Sequence, residues 1–145
     1  MVIEHQVKIK IILQAIKQPW VRITVNDQQH SCQINQQVEF EYEFQTRNSS
    51  SVVLIEHFDK DCNDSQTAVE IVGIEFFGIS DPKFIWAGTY YPKYPEPWLG
   101  QQTNKPAEYL PAQTYLGWNG IYQLEFSVPV FEWMHNTLNL GWIYR

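Results

Sequence analysis

The chain has 145 residues, which fits one domain, residues 1–145, large enough to bury a core without disulfides or metals. Its formal net charge is -6 and Lys and Arg form no cluster, which argues against nucleic-acid binding because phosphate contacts need such a cluster. No apolar run is long enough to span a bilayer, and the N-terminus lacks a signal-peptide pattern, so we expect neither a membrane partner nor secretion.

Alternation of apolar and polar residues predicts β-strands along most of the chain. The strictest case is Val38–Phe44, where Glu39, Glu41 and Glu43 alternate with apolar residues and predict one buried face and one solvated face. Asn26-Asp27 is typical of a hairpin turn. Periodicity and β-branched residues predict further strands at Val7–Leu13, Trp20–Val25, His30–Ile34, Ser51–Phe58, Ala68–Phe77 with a break at Gly73, and Ile121–Val128.

An acidic segment follows the Ser51–Phe58 strand and has the ligand spacing of a calcium loop. Asp59, Asp61, Asn63 and Glu70 occupy the first, third, fifth and twelfth positions of an EF-hand pattern, and calcium prefers such oxygen ligands. The sixth position, however, is Asp64 instead of Gly, and strands flank the segment instead of helices. A polar β-turn without any cofactor is the alternative interpretation, because Asp and Asn bond their own backbone in turns.

No motif in the sequence indicates catalysis. The chain lacks a Gly-x-Ser-x-Gly elbow, a phosphate-binding loop and a His-Glu-x-x-His pair, and its histidines show no spacing typical of a nucleophile and its base. His57, beside the acidic segment, is interpreted as a hydrogen-bonded structural residue. We therefore expect no catalytic residues and a protein that is not an enzyme.

The segment Asp81–Gln113 is long, rich in proline and rich in aromatic residues. Repeated proline removes hydrogen-bond donors, which predicts an ordered loop, packed by its own rings, and not a central strand. Three interpretations stay open for its rings: a protein interface, a structural cap on the fold, or a glycan site. The candidate ligand- or interface-contacting residues are Trp86, Tyr90, Tyr91, Tyr94 and Trp98.

Only the C-terminal part of the chain indicates helix, one or two turns over Pro129–Asn136. Many short strands with few helices predict an all-β fold, a two-sheet antiparallel sandwich. We expect a jelly-roll-like or carbohydrate-binding-module-like sandwich with one long aromatic loop and at most one short helix.

Four segments carry a resemblance to a known group of proteins: His57–Asp61, Tyr90–Trp98, Thr114–Gly120 and Leu140–Tyr144. With them, roughly residues 50 to 145 resemble small uncharacterised proteins encoded by tailed phages, particularly myoviruses of cyanobacteria. The resemblance implies a phage-encoded β-sandwich located in the virion or in the host cytoplasm of the infected cell. The acidic turn of those proteins is longer, which counts against a strict calcium loop here.

Three functions follow as hypotheses. The first is a non-enzymatic virion structural or assembly protein whose aromatic loop contacts other virion proteins or another copy of itself. The second is a glycan-binding module, calcium-assisted through Asp59, Asp61 and Glu70, and the third is a small protein directed at a host partner. A row of coplanar, solvent-facing rings would favour glycan binding, and rings packed against the sandwich would favour assembly.

Overall fold

Two antiparallel sheets form the fold in the computed structural model, which describes residues 3–61, 63–96 and 98–138. The strands are β1 (His5–Ile16), β2 (Trp20–Val25), β3 (Gln28–Gln33), β4 (Val38–Thr46), β5 (Ser50–Phe58), β6 (Ala68–Phe76), β7 (Ile79–Ser80), β8 (Thr89–Pro92), β9 (Leu110–Pro111), β10 (Tyr115–Leu116) and β11 (Gly120–Ser127). The helices are α1 (Pro82–Trp86) and α2 (Val130–Leu138), with a 3-10 turn at Leu99–Gln101. The predicted two-sheet β-sandwich is confirmed.

The two sheets enclose one hydrophobic core. The five-stranded sheet has the order β10-β6-β1-β4, with β7 beside β6, and the six-stranded sheet has the order β3-β2-β5-β11-β8-β9. Alternate residues of each strand point inward, so every second side chain of β1, β2 and β5 is buried. Burial of these β-branched and aliphatic side chains holds the sheets face to face.

The predicted break at Gly73 is a β-bulge within a continuous strand. Ile12 pairs with Gly73 and Leu13 pairs with Ile71, which leaves Val72 as the extra residue of β6. A Cβ at Gly73 would lie 3.4 Å from the Cδ1 atom of Ile12, an ordinary van der Waals contact.

The prediction that Asp81–Gln113 contributes no central strand is wrong. β8 pairs with β11 on one side and with β9 on the other, so it lies inside the six-stranded sheet. The three residues that precede Pro92 in β8 retain their backbone N–H groups. The proline is the last residue of the strand, where its missing N–H disturbs the hydrogen bonds of the sheet least.

Both helices close one end of the sandwich. α2 occupies the region predicted for a helix, and its Trp133 ring packs against Phe76, Phe84 and Phe126 at centroid distances of 5.1, 5.4 and 6.0 Å. α1, which carries Phe84, was not predicted, although Asp81 caps it by accepting a hydrogen bond of 2.9 Å from the Lys83 N–H. In the described part of the chain, no helix has the length and apolarity to cross a membrane. Residues 140–144, part of the resemblance, lie outside the described residues.

Gly120 begins β11 and pairs with Pro92 at the end of β8. Its φ is 157°, in the region that favours glycine, and a Cβ there would lie 2.4 Å from the Tyr91 carbonyl oxygen and 2.8 Å from the Pro92 Cα.

We expect Gly120→Ala to lower the free energy of unfolding by at least about 2 kcal/mol, because the clash is with backbone and the conformation is strained. Gly100→Ala is the matched control, since its nearest contact is the mobile carboxylate of Glu96 and it should cost less than about 1 kcal/mol. Urea denaturation followed by Trp fluorescence measures both. Equal effects of the two substitutions would contradict this account of the β8–β11 contact.

Candidate functional site

Tyr90 is a core residue, so its prediction as a ligand- or interface-contacting residue is wrong. Its side chain is fully buried, and its hydroxyl donates a hydrogen bond to the Trp118 carbonyl oxygen. Burial raises the pKa of Tyr90 above its ordinary value. The alternation of β8 directs Tyr90 inward and its neighbour Tyr91 outward, and the proline-rich sequence had concealed that alternation.

Tyr94 and Trp98 pack against each other and against Trp118, a ring that the sequence had not singled out. The ring centroids are 5.5 Å apart for Tyr94 and Trp98, 4.8 Å for Trp98 and Trp118, and 5.3 Å for Tyr94 and Trp118. The Tyr94 hydroxyl donates to the Ala107 carbonyl oxygen at 2.7 Å. The rings are half-buried and mutually tilted, so this aromatic cluster packs the loop and offers no flat row of rings.

Lys60 and Asn119 fasten the acidic turn to the aromatic cluster. The Asn119 side chain accepts a hydrogen bond from the Lys60 N–H at 2.9 Å and donates one to the Lys60 carbonyl oxygen at 3.0 Å. The Lys60 ammonium donates to the Gly117 carbonyl oxygen and lies 5.9 Å from the Trp118 ring centroid. Burial lowers the pKa of Lys60. We call these hydrogen bonds the Asn119 clamp. They join segments that are distant in sequence, so neither segment alone predicts them.

The acidic turn is organised by hydrogen bonds to its own backbone. Asp61 accepts a bond of 2.8 Å from the Asn63 N–H, and Asp64 accepts bonds from the N–H groups of Gln66 and Thr67 at 2.8 and 3.0 Å. The Thr67 hydroxyl also donates to Asp64, and these bonds lower the pKa of Asp64 to about 2. The carboxylates therefore act as turn-forming acceptors.

The predicted calcium ligands are not brought together. Glu70 lies in β6, paired with Gln14 and Tyr115, away from the turn that contains Asp59, Asp61 and Asn63. In residues 3–61, 63–96 and 98–138, no group of three or more His, Cys, Asp or Glu side chains could hold a metal ion. The spacing of the acidic turn and the following strand therefore resembles a calcium loop only in sequence. Cys62 lies outside the described residues.

The two exposed rings of the predicted set lie apart on the fold. Trp86, which is 52% exposed, ends α1 and lines a groove with Val72 and Thr114. Tyr91, which is 47% exposed, lies on the outer face of the six-stranded sheet, with the Tyr109 ring 6.4 Å away and tilted by 46°. The five candidate rings therefore do not form one binding platform.

The outer face of the six-stranded sheet carries a further set of rings and aliphatic side chains, which we call the aromatic face. Trp20 pairs across the strands with Phe58, and one row across four strands runs Arg22, Glu56, Ile121 and Tyr91. The Arg22 guanidinium bonds Glu56 at 2.8 Å and lies 4.5 Å from the centroid of the Phe58 ring. The central charges of this face are thus paired, and rings and aliphatic side chains surround them.

The outer face of the five-stranded sheet, the charged face, has the opposite character. Its outward positions in β1, β4 and β6 include five glutamates and two lysines: Glu39, Glu41, Glu43, Glu70, Glu75, Lys8 and Lys10. Lys10 lies 3.4 Å from Glu41 and 3.8 Å from Glu39, and these glutamates raise the pKa of Lys10. The carboxylates outnumber the ammonium groups, so this face is acidic.

His57 is a structural residue. Its side chain is 1% exposed, and its Nδ1 atom lies 2.9 Å from the Leu116 carbonyl oxygen. A carbonyl oxygen only accepts, so Nδ1 carries the hydrogen in the neutral ring. Burial is the main cause that lowers the pKa of His57 below its ordinary value of 6.5, which favours the neutral form.

Comparisons of this chain with protein-family models, with curated proteins and with solved structures found no match.

Calcium is expected to leave the melting temperature unchanged, because the carboxylates of the acidic turn already accept backbone hydrogen bonds. Thermal unfolding in EDTA and in excess calcium chloride tests this. An ion present at a hundredfold above its dissociation constant would stabilise the fold by about 2.7 kcal/mol, a shift of several degrees. A calcium-dependent rise that Glu70→Gln abolishes would contradict the structural role assigned to the turn.

The free energy of unfolding is expected to fall as the pH drops below about 6.5. There the unfolded chain protonates His57 while the folded chain, with its lowered pKa, keeps the ring neutral. The loss reaches at most about 1.4 kcal/mol per pH unit until the folded-state pKa is passed. Urea denaturation between pH 5 and 8 measures this slope in the wild type and in His57→Asn, whose amide nitrogen can replace the Nδ1 donor without titrating. Identical slopes in the two proteins would contradict the prediction.

Proposed function

We propose that this chain is a non-enzymatic structural or assembly module in which two copies meet through their aromatic faces. The observation that carries the proposal is the unequal distribution of side chains between the two outer faces. Trp20, Tyr91 and Ile121 are exposed on one face, whereas three glutamates occupy the exposed positions at the middle of β4 on the other. Apolar surface rimmed by polar residues is typical of interaction sites.

Charge restricts which face a second copy can approach. Each chain carries a net charge of -6, so two copies repel each other unless the contacting surfaces are locally balanced. On the aromatic face Arg22 is already paired with Glu56, whereas two charged faces would oppose glutamate to glutamate. Contact between two aromatic faces therefore has a smaller electrostatic cost than contact between two charged faces.

The size of the aromatic face suits such an interface. Six strands span about 24 Å across the sheet; four of them, with six to nine residues, run roughly 20 to 30 Å, and β8 and β9 are shorter. The resulting footprint of roughly 500 to 700 Å² is of the order that a standard interface buries on each partner, about 800 Å². Trp20, Phe58, Tyr91 and Ile121 would supply its apolar centre.

The virion remains the proposed location of this protein. The resemblance to phage-encoded proteins implies a virion component, in the particle or in the infected host's cytoplasm, with other virion proteins as further partners. The aromatic loop has a narrower role than the sequence indicated: Tyr91 contributes to the contact, while Tyr94 and Trp98 pack the loop that supports it.

A glycan-binding module is the second candidate, favoured by a groove beside Tyr91. This groove of about 530 Å³ lies between the aromatic face and the aromatic loop, and Glu56, Asp59, Glu96 and Asn119 line it together with Tyr91 and other residues. Carboxylate and amide groups can bond sugar hydroxyls, and an exposed tyrosine ring can cover a sugar's C–H patch.

Self-association through the aromatic face predicts a concentration-dependent mass in multi-angle light scattering. We expect Ile121→Lys to shift the protein to the monomer, because it places a charge at the centre of the contact. Val72→Lys is the matched control: Val72 is 48% exposed on the opposite sheet, Ile121 is 37% exposed, and each variant gains one lysine.

A wild-type protein that stays monomeric at every concentration would overturn the assembly proposal. A glycan array screened with that monomer would then test the second candidate, whose signal should disappear in Tyr91→Ala. No glycan signal from the wild type would exclude that candidate as well.

A further inference from the structure

β4 is a nine-residue edge strand whose outer side is open. It pairs with β1 along nine residue positions, from His5 with Thr46 to Leu13 with Val38. Among the described residues, no strand pairs with its other side. Every second residue of an antiparallel edge strand directs its N–H and C=O groups away from its neighbour, so β4 presents a row of backbone donors and acceptors.

Both faces of β4 leave room beside this edge. Glu39, Glu41 and Glu43 are exposed on the charged face, while Phe40 and Phe44 on the inner face are only half-buried although they belong to the core's margin. A strand added here would place one set of its side chains beside the three carboxylates and the alternate set beside the phenylalanines.

The existing neighbour of β4 indicates what chemistry such a strand needs. In β1, Lys8 pairs with Glu43 and Lys10 pairs with Glu41, and apolar residues alternate with these lysines. The Lys10 ammonium lies within 4 Å of both Glu39 and Glu41, whereas Glu43 accepts a hydrogen bond from the Gln6 amide and forms no ion pair among the described residues. The open side of β4 therefore has negative charge that a second basic strand would neutralise.

A second copy of β4 does not satisfy this requirement. Antiparallel pairing of two β4 edges around a two-fold axis would bring glutamates of one copy beside glutamates of the other, which is destabilising. The carboxylates thus disfavour pairing between identical edges while they leave the edge available to a strand of opposite charge.

We propose that β4 is a docking edge for an extended basic segment of a partner protein, in which Lys or Arg alternates with apolar residues over about seven to nine positions. The segment adds to the five-stranded sheet as a further strand. Backbone hydrogen bonds supply the affinity, and the Glu39, Glu41 and Glu43 ladder selects the sequence. The edge is distinct from the aromatic face, so this docking does not depend on self-association.

The probe is an acetylated, amidated nine-residue peptide in which lysine alternates with valine or threonine, measured by isothermal titration with the full chain. Two control peptides accompany it: one with glutamate in place of each lysine, and one with the same charges but N-methyl groups on alternate residues, which prevents strand pairing. We expect binding of the lysine peptide alone, weakening as salt is raised.

Two triple variants distinguish binding of the peptide at β4 from nonspecific attraction of a basic peptide to an acidic protein. Glu39→Gln combined with Glu41→Gln and Glu43→Gln should weaken binding at least about eightfold, since each of the three cross-strand ion pairs contributes roughly a two- to fivefold effect. Glu70→Gln combined with Glu108→Gln and Glu125→Gln removes the same charge elsewhere and should leave binding within twofold. Absence of binding by the lysine peptide, equal binding of the N-methylated peptide, or equal weakening in both variants would each overturn the proposal.

Discussion

The antiparallel contact of β11 with β5 and β8 is the constraint on which the rest of the molecule depends. β11 pairs with β5 from Gly120 with His57 to Ser127 with Ser50, and it pairs with β8 along its first four residues. These two ladders join the first half of the chain to the aromatic loop. The Asn119 clamp on Lys60 stands immediately before β11, so the acidic turn, the aromatic cluster and the aromatic face are all placed by the same strand.

Local patterns predicted the elements but not their neighbours. The alternation in β4 and the Asn26-Asp27 turn determine strand type and hairpin geometry within a few residues, and Asn26 adopts the positive φ of 56° that such a turn needs. β8 was missed because Pro92 and the prolines that follow the strand obscured a four-residue alternation, and α1 because its capping signal precedes a helix of one turn. Tyr90 and Tyr91 illustrate this limit of local patterns. They are the same residue type and differ only in the direction that strand pairing gives to their side chains.

For the predicted calcium ligands, spacing along the chain does not correspond to proximity in space. Asp59 and Glu70 have the separation of calcium ligands, yet the chain enters β6 before Glu70 and carries it away from the turn. Conversely, Trp118 joins Tyr94 and Trp98 across a long stretch of sequence, and the aromatic face combines residues from four strands. Such surfaces exist only after the sheet order is known, because cross-strand neighbours have no fixed separation in sequence.

The long separation in sequence between β5 and its partner β11 also has a consequence for synthesis. β5 lies in the middle of the six-stranded sheet, but its second neighbour is complete only when residue 127 has left the ribosome. Until then β5 is itself an open edge, next to β2, and it carries the continuous apolar run Val52–Ile55. Because translation adds about 5 to 20 residues per second, that edge stays uncovered for several seconds in every nascent chain. The nascent protein therefore has a hydrophobic pairing edge that the finished fold conceals, and this interval is when chaperones would contribute most to its yield.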